Sequence, residues 1–133
     1  MAKILIIEDR EPVCQLYSSL LQRSNAKHDV MLTYTGEDGI RAAMGNRPDL
    51  VILDLILPGI SGGEVAQKLE ESGVLDTAPL IIATSIGSDK AEAVSQSFNT
   101  SAVLLKPFAI DSMLDAVHRA LTDSGQTTQA MTH

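Results

Sequence analysis

Four stretches of apolar residues in this sequence end in side chains that could do chemistry. These polar residues are Glu8 and Asp9, Asp54, Thr84 and Ser85, and Lys106. If the apolar stretches are parallel strands of one sheet, all of these residues follow the carboxyl ends of strands. That edge is where open α/β sheets bind their ligands. We therefore expect three carboxylates, a hydroxyl and a lysine to meet in one crevice.

The expected cluster carries an excess of negative charge. Two carboxylates 4 Å apart repel each other by about 1 to 4 kcal/mol at effective dielectric constants of about 80 to 20. A divalent cation would offset this excess, and Mg²⁺ is typically held by one or two protein carboxylates with water and phosphate. A metal, a lysine and a hydroxyl beside a carboxylate can promote phosphoryl transfer. Asp54 is the natural acceptor, because a carboxylate can act as the nucleophile.

The strands that would position these groups are visible as short apolar runs. Continuous runs at residues 4–7, 50–53, 80–83 and 102–105 predict strands covered on both faces, as in a parallel sheet. A more mixed run at 30–34 suits the edge of the sheet.

Helical patterns separate the apolar runs. Pro12 suits the first turn of a helix whose apolar positions are Val13, Leu16, Tyr17, Leu20 and Leu21. Ser61 and Glu64 form a capping-box pattern at the start of another helix. The clearest amphipathic stripe consists of Ile110, Met113, Leu114, Val117 and Leu121. Weaker helices fit residues 37–45 and 89–97. A strand followed by a helix, five times over, predicts an α/β domain with helices on both faces of a parallel sheet.

The composition limits the kind of protein. The 133 residues suit one domain, and 17 acidic against 10 basic side chains give a net charge of −7. This balance argues against direct binding of nucleic acid through a basic surface. A single cysteine cannot form an internal disulfide. Every apolar run is far shorter than the roughly 18 residues that a membrane-spanning helix needs. We expect no signal peptide, because the first predicted strand begins almost at the N-terminus. We therefore expect a cytoplasmic protein without membrane insertion, with one domain at 1–122 and a flexible polar tail at 123–133.

Several short motifs occur in a fixed order at the predicted strand ends. They are the pair Glu8-Asp9, the segment 54–58 with Gly62, then Thr84, and finally the segment 106–108. This set resembles the receiver domain of two-component response regulators. The resemblance covers residues 3–121 and implies the flavodoxin-like doubly wound fold of five βα units. Its five-stranded parallel sheet has the strand order 2-1-3-4-5.

The resemblance implies a role for each motif. Asp54 would accept a phosphoryl group from a histidine kinase or phosphotransfer protein. Thr84 would hydrogen-bond that group and Lys106 would pair with it. A cis peptide bond between Lys106 and Pro107 is also expected.

Magnesium binding is implied in the same way. Glu8, Asp9 and Asp54 would hold Mg²⁺ together with the backbone carbonyl of Ile56. The protein would then be a phosphorylation-switched signalling module of the two-component system, not an enzyme acting on other substrates. Its phosphate would either switch the binding of a downstream protein target or pass along a phosphorelay.

Three positions depart from the commonest pattern of the family. Glu8 stands where an aspartate is more usual, a familiar variant that should still bind metal. Asn99 stands where a glycine is usual, and we expect a mild change because asparagine tolerates the left-handed conformation. Val103 replaces the tyrosine or phenylalanine that swings inward on activation in many receivers.

Ser85 could be a second hydroxyl at the site, although a packing role is favoured.

Other interpretations of the sequence stay open. A phosphatase of the haloacid-dehalogenase type also uses an aspartate, a hydroxyl and a lysine, but it needs a second aspartate where this chain has Ile56. A degenerate receiver used as a scaffold would not need every phosphorylation residue. The chain could also be a receiver fragment of a larger regulator or hybrid kinase. A stand-alone receiver is the leading hypothesis.

Overall fold

The computed structural model describes residues 2–23 and 28–123. Within these residues five strands and five helices alternate, and a 3-10 turn at Val74–Asp76 lies between the third helix and the fourth strand. The strands are β1 (Lys3–Ile7), β2 (Asp29–Thr33), β3 (Leu50–Leu53), β4 (Leu80–Thr84) and β5 (Thr100–Leu105). The helices are α1 (Glu11–Gln22), α2 (Gly36–Asn46), α3 (Gly62–Glu71), α4 (Ser88–Ser97) and α5 (Ile110–Asp123).

All five strands pair in parallel in the order β2-β1-β3-β4-β5, which confirms the predicted fold class. The register explains why the polar strand ends meet. Ile7 lies opposite Leu53, and Leu53 lies opposite Ile82. Residues that follow β1 and β3 therefore emerge side by side at the carboxyl edge of the sheet, next to the end of β4.

The apolar runs are continuous because helices cover both faces of the sheet. Alternate strand residues point to opposite faces. On one face, strand residues pack with α1 and α5 around Ile4, Ile6, Ile52, Ile81, Tyr17, Leu21, Met113 and Val117. On the other face, strand residues pack with α2, α3 and α4 around Leu5, Ile7, Val51, Leu53, Ile82, Val65, Leu69 and Ala91. β2 lies at an edge and is only half-buried, as the mixed run predicts.

Most of the predicted helix signals have the expected form in the structure. Pro12 lies in the first turn of α1. The capping box of α3 is complete, because Ser61 Oγ accepts from Glu64 N at 3.2 Å and Ser61 N donates to Glu64 Oε1 at 3.1 Å. In α5, Ile110 is 46% exposed although the apolar stripe places it on the buried face. The Lys106–Pro107 peptide bond is cis, as expected.

Asn99 differs from its expectation. Among the described residues, Arg47 is the one non-glycine residue with a positive φ, so Asn99 is not left-handed. Its side-chain Nδ2 instead donates to the backbone oxygen of Leu75 at 2.7 Å. The asparagine therefore ties the start of β5 to the 3-10 turn before β4, a contact that glycine lacks the side chain to make.

Two expectations concern the ends and the surroundings of the domain. Apart from the last residue of α5, the predicted tail at 123–133 lies outside the described residues, so the tail and the boundary at 122 stay predictions. Among the described residues, every helix is too short or too polar to cross a bilayer.

Two neighbouring glycines of α3 provide a test of how closely this helix packs against the backbone that follows β3. A Cβ on Gly62 would lie 2.3 Å from Leu55 Cα and 2.6 Å from the backbone oxygen of Asp54, whereas a Cβ on Gly63 would meet nothing closer than Ser61 Oγ at 3.8 Å. We expect Gly62→Ala to lower the free energy of unfolding by about 1 to 3 kcal/mol, because backbone atoms must shift. Gly63→Ala should be neutral or stabilising by up to about 1 kcal/mol, because alanine favours helix.

Denaturant unfolding of both variants measures the difference. Equal stabilities of Gly62→Ala and Gly63→Ala would show that α3 does not press on the backbone of residues 54 and 55.

Candidate functional site

The carboxyl edge of the sheet brings the predicted polar residues together. Glu8 directly follows β1, Asp54 follows β3, Thr84 ends β4 and Lys106 follows β5. The backbone continues these pairings beyond the strands, since Asp54 N donates to the oxygen of Ile7 at 3.0 Å and Lys106 N donates to the oxygen of Thr84 at 2.8 Å. The sheet therefore holds the backbone of each site residue, and only the side chains remain to be oriented.

Asp54 lies at the centre of the cluster and is 6% exposed. Its Oδ1 accepts from Ile56 N at 2.9 Å and from Thr84 Oγ1 at 2.8 Å. Its Oδ2 accepts from Lys106 Nζ at 2.9 Å. Three donors from three different segments thus orient the carboxylate.

Glu8 is more buried still, at 2% exposure. Its Oε1 accepts from Lys106 Nζ at 2.6 Å, and its Oε2 accepts from Arg10 N at 2.9 Å. The Lys106 ammonium therefore bridges two buried carboxylates, Glu8 and Asp54. Such an arrangement keeps the charges compensated in a poorly solvated place.

The surroundings shift the pKa values of all three groups. Burial alone would raise the pKa of Asp54, but the hydrogen bonds from Ile56 N, Lys106 and Thr84 outweigh burial and hold it below its usual value. Burial raises the pKa of Glu8, and its bonds from Lys106 and Arg10 N offset this only in part. Burial would lower the pKa of Lys106, but its bonds to Glu8 and Asp54 raise it. Asp54 is therefore ionised at neutral pH beside a charged ammonium.

Thr84 links the Asp54 carboxylate to the loop between β4 and α4. Its side chain is fully buried, and its hydroxyl donates to Asp54 Oδ1 while accepting from Ile86 N at 3.2 Å. The neighbouring Ser85 is exposed, contrary to the packing role that the sequence favours. A change at the Asp54 carboxylate thus has a direct path, through one hydroxyl, to the backbone of Ile86.

A divalent cation fits the acidic side of the cluster. One carboxylate oxygen each from Glu8, Asp9 and Asp54 lie within 4.8 Å of one another, and Asp9 is exposed to solvent. Carboxylate oxygens are the ligands that Mg²⁺ prefers. The Ile56 carbonyl is the fourth predicted ligand. Its role stays a prediction, because the structure shows only that Ile56 N is bonded to Asp54.

Sequence reasoning missed two groups that hold Glu8 in place. One is the backbone N–H of Arg10, which a pattern of side chains does not predict. The other is the buried Cys14, whose Sγ donates to the backbone oxygen of Glu8 at 3.2 Å. Burial raises the pKa of Cys14 to about 12, so it stays a thiol and keeps its donor proton. The position of Cys14 in the first turns of α1 is a signal that could have suggested contact with the end of β1.

The match to known proteins agrees with this site. A family model described as the response regulator receiver domain matches residues 4–118. Response regulator ArlR of Staphylococcus saprophyticus is 31% identical over 121 residues, which are 91% of this chain and 53% of that protein. ArlR of Staphylococcus aureus strain Mu50 is 29% identical over 121 residues, which again are 91% of this chain and 53% of that protein. This chain therefore spans about half the length of the curated relatives that it matches.

Solved structures of similar proteins share the fold over nearly their whole length. A signal receiver domain from Vibrio parahaemolyticus superposes with a TM-score of 0.83 at 29% identity, covering 92% of this chain and 91% of that one. Chemotaxis protein CheY4 of Vibrio cholerae gives 0.81 at 25% identity, covering 91% and 99%. With the sheet order, the acidic strand ends and the family match in agreement, this chain belongs to the response regulator receiver domain family of two-component signalling.

Proposed function

We propose that this receiver accepts a phosphoryl group on Asp54 from a histidine kinase or phosphotransfer protein. The observation that carries the proposal is the Asp54 carboxylate, buried, ionised and held between Lys106, Thr84 and Ile56 N. A degenerate receiver used only as a scaffold would have no need for these groups to converge. The haloacid-dehalogenase alternative lacks its second aspartate, since Ile56 takes that position.

The transfer needs little more than positioning and charge. An oxygen of Asp54 forms the new bond to phosphorus, and the bond from phosphorus to the donor breaks, with its electron pair staying on the donor group. Lys106 and Thr84 lie within hydrogen-bond distance of the nucleophile, so their N–H and O–H groups can bind the oxygens of the phosphoryl group as it arrives. Donors fixed in place before the reaction stabilise the transferring group without further reorganisation.

The proposed magnesium ligands are Glu8, Asp9, Asp54 and the carbonyl of Ile56. When bound there, Mg²⁺ would offset the negative charge of the carboxylates and of the phosphoryl oxygens. The chain itself holds the carboxylates close together in spite of their repulsion. The bond from Arg10 N to Glu8 and the bond from Ile56 N to Asp54 fix the two side chains.

The output of the switch is proposed to run through the loop between β4 and α4. Val103, in the middle of β5, is half-buried and lies opposite Ile82, and its short branched side chain has no swing comparable to that of an aromatic ring. The Thr84 hydroxyl, in contrast, already bonds Ile86 N. Within α4, Ala91 is the buried residue, so this helix is weakly anchored compared with α5.

The chain is proposed to act as a stand-alone receiver whose phosphate switches a downstream protein target or passes along a relay. The coverage of 99% of CheY4 supports this form. The alternative is a receiver within a larger regulator or hybrid kinase, which the 53% coverage of ArlR supports. Both forms make the same predictions for Asp54.

Labelling with acetyl phosphate in the presence of Mg²⁺ tests the acceptor. The intact mass of the protein should rise by one phosphoryl group, and Asp54→Asn should abolish the rise because an uncharged amide replaces the nucleophilic carboxylate. Asp76→Asn, an exposed aspartate in the 3-10 turn before β4, is the matched control and should label like the unmodified chain. Undiminished labelling of Asp54→Asn, or labelling that persists with a chelator, would contradict the assignment.

Hydrogen exchange with and without beryllofluoride, a mimic of the phosphoryl group, tests the route of the output. The largest change should fall on amides 85–88 and the first turn of α4, because Thr84 links them to the acceptor. Thr84→Val removes the hydroxyl and should suppress this change, whereas Thr84→Ser keeps the hydroxyl and should retain it. Changes centred on Val103 and β5, with residues 85–88 unaffected, would show that the output takes another path.

A further inference from the structure

Both carboxylate oxygens of Glu8 already accept a hydrogen bond, and one of the two donors is a charged ammonium. Its Oε1 is 2.6 Å from Lys106 Nζ, and its Oε2 is bonded to Arg10 N. The carboxylate is also almost completely buried, so the contact with Lys106 is poorly screened by solvent. Any cation that takes Oε1 as a ligand must therefore compete with the Lys106 ammonium for the same atom.

The other two carboxylates of the cluster are in a different position. Asp9 is exposed and lies outside the ion pairs of Lys106, so a cation reaches it without displacing the lysine. Asp54 shares Lys106 through Oδ2 at the longer distance of 2.9 Å. Competition with the lysine therefore falls most heavily on Glu8.

The length of the residue at position 8 makes this competition possible. An aspartate at this position would be shorter by one methylene, about 1.5 Å. Without a shift of the backbone, its oxygen would lie about 4 Å from Lys106 Nζ, beyond hydrogen-bond distance. The bond from Lys106 Nζ to Asp54 Oδ2 and the burial of most of the lysine side chain oppose a compensating shift of the ammonium.

We propose that Glu8 is a latch for Lys106, and that the extra methylene of this glutamate lowers the affinity of the acidic cluster for divalent cations. The inference rests on the proposed magnesium site and adds to it a specific role for the glutamate at position 8. The ammonium takes the place that a cation would otherwise occupy against Glu8. An aspartate here would keep the negative charge but release the lysine.

The latch has a consequence for the residues that bind the phosphoryl group. Lys106 has three N–H donors, and Glu8 and Asp54 use two of them. Once released from Glu8, Lys106 would keep its bond to Asp54 Oδ2 and would have two donors, instead of one, available for incoming phosphoryl oxygens. The same glutamate would thus couple metal binding to the readiness of the lysine.

Calorimetric titration of the full chain with MgCl₂ tests the latch directly. Glu8→Asp should bind Mg²⁺ about three- to tenfold more tightly than the unmodified chain, since loss of a competing contact worth about 1.4 kcal/mol changes affinity tenfold. Lys106→Met, which removes the ammonium but keeps most of the stem, should also bind more tightly.

The double variant Glu8→Asp with Lys106→Met separates the direct contact between Glu8 and Lys106 from the general repulsion between the lysine and the cation. General repulsion between the lysine and the cation acts whether position 8 is glutamate or aspartate, so it does not contribute to the coupling. Lys106→Met should therefore tighten Mg²⁺ binding more in the Glu8 chain than in the Glu8→Asp chain. Equal effects in the two chains, or unchanged or weaker binding by Glu8→Asp, would overturn the latch.

A second measurement does not depend on the binding constants. In NMR spectra of the ¹⁵N-labelled chain without Mg²⁺, the Lys106 ammonium should give a signal protected from solvent exchange. This signal should broaden or shift in Glu8→Asp and also on adding Mg²⁺ to the unmodified chain, but it should persist in metal-free Asp9→Asn. A signal unchanged in Glu8→Asp would contradict the latch. Failure of the unmodified chain to bind Mg²⁺ would instead contradict the proposed metal site.

Discussion

One ammonium group shared by two buried carboxylates is the interaction on which this site depends. Lys106 neutralises part of the charge of Glu8 and Asp54, and both carboxylates are too buried to rely on water instead. Removing one partner of a buried ion pair commonly costs about 3 to 5 kcal/mol, because the remaining charge is left uncompensated. The same lysine is therefore a structural counter-ion before any phosphate arrives and a ligand for the phosphoryl group in the proposed transfer.

The fold serves this interaction by bringing together residues far apart in sequence. Lys106 meets a glutamate 98 positions away and an aspartate 52 positions away. The parallel register delivers each of them to one edge, and helices on both faces make the strands rigid. The loop after β3 is confined as well, since α3 begins against the backbone of residues 54 and 55. A site built on strand ends in this way requires little adjustment for chemistry to begin.

The sequence predicts the order of the elements and the polar residues that meet at the carboxyl ends of the strands, because both depend on local patterns. Continuous apolar runs reveal doubly covered strands, and polar residues that end such runs reveal the functional edge. Patterns of side chains do not reveal backbone donors such as Arg10 N. They also do not reveal that Asn99 bonds the backbone of Leu75 instead of adopting a left-handed conformation. The sharing of Lys106 between two acids is likewise a matter of distances, which spacing along the chain does not encode.

The central claim, that the Asp54 carboxylate receives the phosphoryl group, is tested most directly by locating the bond. Borohydride reduces an acyl phosphate to an alcohol, so a phosphorylated aspartate is converted to homoserine and can be identified by peptide mass spectrometry. After phosphorylation in Mg²⁺, homoserine should appear at position 54 and at no other aspartate of the chain. Homoserine at Asp9, or a stable phosphate on a histidine or serine with position 54 unchanged, would contradict the account.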